Sequence, residues 1–99
     1  MRMKIAICDD DELFATELLL MIRNYLVNKR IQADVSLFLS GKNLIYEIEE
    51  GKVFDLILTD IEMPETNGMD IIPIIKEKHT ETIFILITDH IKYAIDYLS

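Results

Sequence analysis

The chain has 99 residues, 51% of them hydrophobic, which is enough apolar mass for the core of one domain and no more. Eighteen acids against ten bases leave a net charge of −8, which argues against nucleic acid or an anionic membrane surface as a partner of this segment. No apolar stretch approaches the roughly 18 residues of a membrane helix and residues 3–8 do not form a signal peptide, so a cytoplasmic domain is expected; the lone Cys8 reads as a small buried hydrophobe.

Residues 4–8 are apolar after Lys4 and run into Asp9-Asp10-Asp11, which suits a strand buried on both faces. Residues 12–28 place Leu18, Met21, Ile22, Tyr25 and Leu26 on one helical stripe. Residues 33–38 alternate at first, as a half-exposed edge strand does. Ser40 can cap a short helix through about Glu50, and Gly51 stops it. Residues 54–59 form a third strand that delivers Asp60. Asn67-Gly68 opens a helix to about Lys78 with Ile71, Ile74 and Ile75 inward, and Pro73 predicts a kink or a late start. His79 closes this helix as a surface residue. Residues 83–87 are apolar throughout, which predicts a strand covered on both faces. Ile91, Ala94, Ile95 and Leu98 are spaced for a fourth helix.

Strands alternating with helices predict a doubly wound α/β fold on a parallel sheet. The site of such sheets lies at the carboxyl ends of the strands. The first strand ends at Asp9 and Asp10, the third at Asp60 and the fourth at Thr88-Asp89. Three carboxylates and a hydroxyl therefore converge on one sheet edge. Crowded carboxylates repel one another, and a hard divalent cation offsets that cost. Oxygen-only ligands favour magnesium or calcium over zinc, and so sparse a set suits magnesium, which keeps several waters. Asp11 and Glu12 read instead as acids at a helix start.

The segment Ile5-Ala6-Ile7-Cys8-Asp9-Asp10-Asp11 resembles the acidic-pair motif of CheY-like receiver domains of two-component response regulators. The segment from Asp55 through Asp60-Ile61-Glu62-Met63-Pro64 to Asn67-Gly68 resembles their phosphoacceptor motif almost position by position. The stretch Thr88–Tyr97, with Tyr93-Ala94, is similar to receivers that carry a LytTR-type DNA-binding domain downstream. This resemblance implies a flavodoxin-like sheet in the order 2-1-3-4-5, with Asp60 taking a phosphoryl group from a sensor histidine kinase. It implies magnesium held by Asp9, Asp10, Asp60 and the backbone carbonyl of Glu62, and Thr88 contacting a phosphoryl oxygen as a switch.

Receivers also have a fifth strand with a lysine and an aromatic, and a fifth helix. The sequence through residue 99 contains neither, so the expectation is a receiver of four strands and four helices over residues 1–99. A small phosphodonor is then expected to modify Asp60 only slowly, if at all. The fourth strand should present an open edge and an uncovered face, and the expectation is self-association through that edge and helix 90–98, or else poor stability of the chain alone. His90 and Glu62 flank the inferred site, as exposed residues or as groups that position a water. Two other readings remain open: a receiver-like interaction module that is not phosphorylated, and a haloacid-dehalogenase-like phosphatase with Asp9 as nucleophile and Thr88 as its second motif.

Overall fold

The computed structural model describes residues 2–87. Among them the order is β1 (Met3–Cys8), α1 (Glu12–Asn28), β2 (Ala33–Phe38), α2 (Gly41–Glu49), β3 (Leu56–Asp60), α3 (Gly68–Lys78) and β4 (Ile83–Ile87). All strand pairs are parallel and the sheet order is β2-β1-β3-β4, as the doubly wound reading requires. The predicted fourth helix over 90–98 lies outside the described residues.

Strand alternation divides the core in two. Ala6, Cys8 and Ile57 point to one face, against Leu44 and Ile48 of α2 and Ile71 and Ile75 of α3. Ile5, Ile7 and Leu58 point to the other, against Leu18, Leu19, Ile22 and Leu26 of α1. β1 is thus buried on both faces, which its unbroken apolar run predicted.

The helix boundaries follow from local chemistry. The Asp11 carboxylate accepts from Phe14 N at 3.2 Å and caps α1. Ser40 Oγ does the same for α2 through Asn43 N at 3.1 Å, and Asn67 for α3 through Met69 N at 2.8 Å. Gly51 takes φ +106°, a conformation that favours glycine, just past the end of α2.

Six expectations need correction. The inward stripe of α1 runs through Ala15, Leu18, Leu19, Ile22 and Leu26, whereas Met21 and Tyr25 are 70% and 58% exposed. The run Leu18–Ile22 is apolar on every side of the helix, so periodicity could not select its buried face. In α3, Ile71 and Ile75 are buried and Ile72 is half-buried, but Ile74 is exposed: the four isoleucines around Pro73 span more of the helix than its contact face, and the packing selects the side with Ile72. The same helix starts at Gly68 and runs through Pro73, with no late start; the ring costs one internal hydrogen bond while Ile71 and Ile75 anchor both sides of it.

β3 begins at Leu56, two residues later than its apolar run suggests. Asp55 instead exchanges hydrogen bonds with Lys4, its carboxylate accepting from Lys4 N at 2.8 Å. Phe54 is buried edge-on to Phe38, with centroids 5.8 Å apart. Finally, His79 is not simply a surface residue: it is the C-cap of α3 and is half-buried, with Nε2 closed off from solvent and from any hydrogen-bond partner.

β4 departs from the pattern of a strand covered on both faces. Ile87 packs into the α1-side cluster, but Ile83 and Ile85 on that side are 62% and 46% exposed. α1 lies across β1 and β2 and leaves the β4 end of this face open. An uncovered stretch of sheet was the alternative expectation for this strand. No helix among the described residues is long and apolar enough to cross a membrane.

Candidate phosphoacceptor and metal site

The register of the two central strands builds the site. β1 pairs with β3 so that Cys8 is opposite Thr59, which sets Asp9 and Asp60 side by side at the carboxyl edge. Both are buried, at 4% and 5% exposure, while Asp10 is exposed. One carboxylate oxygen from each of Asp9, Asp10 and Asp60 lies within 4.8 Å of the other two. The three acids singled out in the sequence are therefore brought together.

Asp9 and the Asp60 end of β3 are held from behind. Asp9 N donates to Phe38 O at 3.0 Å, and the Asp9 carboxylate accepts from Asp11 N at 2.9 Å. Ile61 N, next to Asp60, donates to Ile87 O at 3.0 Å and ties the site to β4. Thr59, fully buried, donates its hydroxyl to the Asp60 carbonyl at 3.1 Å. Sequence reasoning passed over Thr59; a hydroxyl inside an otherwise apolar strand, one residue before the key acid, was the available signal.

The loop from Ile61 to Asn67 closes on itself. Gly68 N donates to Ile61 O at 2.7 Å, and Glu62 and Asn67 form an antiparallel bridge. Glu65 takes φ +67°, a strained conformation for a residue with a side chain. At Gly68 a Cβ would overlap the Asp60 carbonyl oxygen, so only glycine lets α3 start this close to β3. Glu62 is exposed, and this bridge holds its backbone. Thr88, Asp89 and His90 lie outside the described residues.

The electrostatics agree with the geometry. The Cys8 thiol, beneath the acids, is pushed up to about 11, first by burial and then by the charges of Asp9, Asp60 and Asp10; a hydrogen bond with Thr59 acts the other way. Cys8 Sγ also lies 3.8 Å from Met63 Sδ, so the thiol is shut in by the loop. The donor set fits a hard cation. Oxygens bound to one magnesium at about 2.1 Å are at most about 4.2 Å apart. The carboxylate oxygens of Asp9, Asp10 and Asp60, within 4.8 Å of one another, are close to that spacing.

The model of the response regulator receiver domain family matches residues 5–99. The transcriptional regulatory protein CiaR of Streptococcus pneumoniae is 39% identical over 56 residues, covering 57% of this chain. The aligned part spans a quarter (25%) of CiaR's own length. A receiver domain protein from Clostridium thermocellum superposes with a TM-score of 0.74 at 22% identity, covering 97% of this chain and 74% of that one. The BeF3-activated receiver domain of DrrB, a Thermotoga maritima protein, gives a TM-score of 0.64 at 26% identity, covering 89% of this chain and 67% of that one. With a family match across nearly its full length and the receiver architecture in its sheet, the chain belongs to the response regulator receiver domain family.

Proposed function

We propose that Asp60 accepts a phosphoryl group from the phosphohistidine of a sensor kinase, with magnesium held by the carboxylates of Asp9, Asp10 and Asp60 and by the Glu62 carbonyl. The observation that carries this reading is the convergence of the three carboxylates at the strand ends, two of them buried. A carboxylate oxygen of Asp60 attacks phosphorus; the new O–P bond forms as the N–P bond to imidazole breaks, and the leaving nitrogen recovers a proton. Magnesium, when bound, would offset the charge that gathers on the phosphoryl oxygens. The backbone hydrogen bond to Asp9 and the closed loop around Glu62 hold these donors in place before the reaction. Thr88 follows Ile87, the register partner of Asp60, and we assign its hydroxyl a contact with the phosphoryl oxygens that biases the switch. The output is a downstream regulatory step, by analogy with CiaR a transcriptional one.

BeF3 activates the DrrB receiver domain, and it serves as the probe. With magnesium present, fluorine NMR of beryllofluoride mixed with the protein should show a bound signal, lost in Asp60→Asn and with EDTA. A bound signal that survives Asp60→Asn and disappears in Asp9→Asn would favour the haloacid-dehalogenase-like reading. No bound signal in the wild type would favour the non-phosphorylated interaction module.

We further propose self-association through β4. Ile83 and Ile85 present exposed apolar surface on the outermost strand of the described sheet, and a second copy offers the same surface. Light scattering on a sizing column should show a dimer that Ile85→Lys converts to monomer; a wild-type monomer throughout the micromolar range would rule it out.

A further inference from the structure

α2 begins at Gly41, directly after the Ser40 cap, and its first turn backs onto the phosphoacceptor loop. Gly41 is buried although it belongs to the first turn of a short surface helix. A Cβ built there would lie 2.7 Å from Thr66 Cγ2, 3.0 Å from Thr66 Cβ and 2.8 Å from Ile71 Cδ1. All three separations are too short for carbon atoms in contact. The φ of Gly41 is not in the left-handed region, since Gly51 alone of the glycines takes a positive φ. Its need for glycine is therefore one of space and not of backbone conformation.

Which neighbour yields determines the consequence. Ile71 is fully buried in the α2–α3 core and has little room. Thr66 is half-buried on the loop, and its β-branched side chain is stiff at χ1. Crowding therefore transfers to the Thr66 backbone. Thr66 N donates to Pro64 O at 2.8 Å, and its neighbour Asn67 bridges Glu62. The path from Gly41 through Thr66 and Asn67 reaches the Glu62–Asn67 bridge, which the Gly68 N to Ile61 O bond closes, and Glu62 is the residue whose carbonyl is assigned above to magnesium.

We propose that Gly41 is a positioning residue for the phosphoacceptor loop: the bare first turn of α2 sets how far Thr66 can sit back, and so where the Glu62 carbonyl stands relative to Asp60. This rests on the metal reading of the site, and it adds α2 to the elements that shape it.

The test uses the full chain as Gly41→Ala, Thr66→Ser and the double variant. Each is measured by calorimetric titration with magnesium, by thermal melting, and by amide NMR shifts of residues 60–68 without metal. Alanine is the better helix former, so a purely local effect on α2 would leave magnesium affinity and these shifts alone. The expected result is magnesium binding weakened roughly tenfold in Gly41→Ala, in the range seen when the supports of metal ligands are altered. The amide shifts of 61–67 should move with it, and both should return toward wild type in Gly41→Ala/Thr66→Ser, where Cγ2 is gone. Unchanged affinity and shifts in Gly41→Ala would overturn the proposal, as would a loss that Thr66→Ser does not relieve. If the wild type itself binds no magnesium, the metal reading fails, and the metal-free shifts alone decide the role of Gly41. Should Gly41→Ala not fold, the decisive variant is Thr66→Ser. Removing the contact should then loosen the loop and speed amide exchange in 61–67, and unchanged exchange there would count against the proposal.

Discussion

Removing the Asp60 charge should stabilise the protein without metal and reduce what it gains from metal. Asp9 and Asp60 are both almost wholly buried, and their carboxylates come within 4.8 Å of each other. Two unit charges at that separation repel by about 3.5 kcal/mol at an effective dielectric of about 20 and by about 0.9 kcal/mol in bulk water. Asp10 is exposed and adds a smaller, screened share. Asp60→Asn keeps the shape and one acceptor oxygen while relieving this repulsion. The expected gain is about 1–3 kcal/mol in urea unfolding with EDTA at low salt, shrinking as salt is added. Magnesium at a hundredfold excess over its dissociation constant should add about 2.7 kcal/mol to the wild type. It should add clearly less to Asp60→Asn, which lacks one charged ligand. A variant less stable than wild type in EDTA would refute the repulsion argument, and an equal gain from magnesium would refute the assignment of Asp60 as a ligand.

Two further outcomes follow from the core. The Cys8 thiol, pushed up to about 11 from an ordinary value of 9.0, should react with a disulfide reagent at neutral pH only as fast as the protein opens. Because its folded value is the raised one, the stability it contributes is complete below about pH 9 and is lost as pH climbs toward about 11; a Cys8→Ala variant should lack this alkaline decline, and a fast reaction of native protein would contradict the burial. Within α3, Ile71→Ala should cost about 2–5 kcal/mol, whereas Ile74→Ala, at an exposed position, should cost under about 1 kcal/mol; equal losses in chemical denaturation would mean the helix face is assigned wrongly.

The sequence carried the strand–helix alternation plainly, because the apolar runs are separated by polar and capping residues; the sheet order came from the resemblance to receiver domains. Ser40 could be read as a cap because its side chain has no better local use than the free N–H groups beside it; Asp11 and Asn67 were legible only as helix-start residues, and the structure shows both as caps. Asp9, Asp10 and Asp60 could be read as one cluster because parallel strands deliver their carboxyl ends to a single edge. Side-chain facing was harder where apolar residues crowd. Leu18–Ile22 and the isoleucines around Pro73 offer more than one helix face, and the choice is made by what packs opposite. The exposure of Ile83 and Ile85 depends on α1 lying over β1 and β2, which no local pattern encodes. Thr59 and Gly41 were passed over for a similar reason. Their importance comes from one tertiary neighbour each, the Asp60 carbonyl and the Thr66 methyl.

The central claim is that Asp60 takes the phosphoryl group. The most direct measurement is to incubate wild type, Asp60→Asn and Asp9→Asn with acetyl phosphate and magnesium, trap the acyl phosphate by borohydride reduction, and map the modified residue by tandem mass spectrometry. The phosphoryl group should build up slowly and short of one per chain, on Asp60 alone, dependent on magnesium and absent from Asp60→Asn; modification at Asp9, or undiminished labelling of Asp60→Asn, would overturn the assignment.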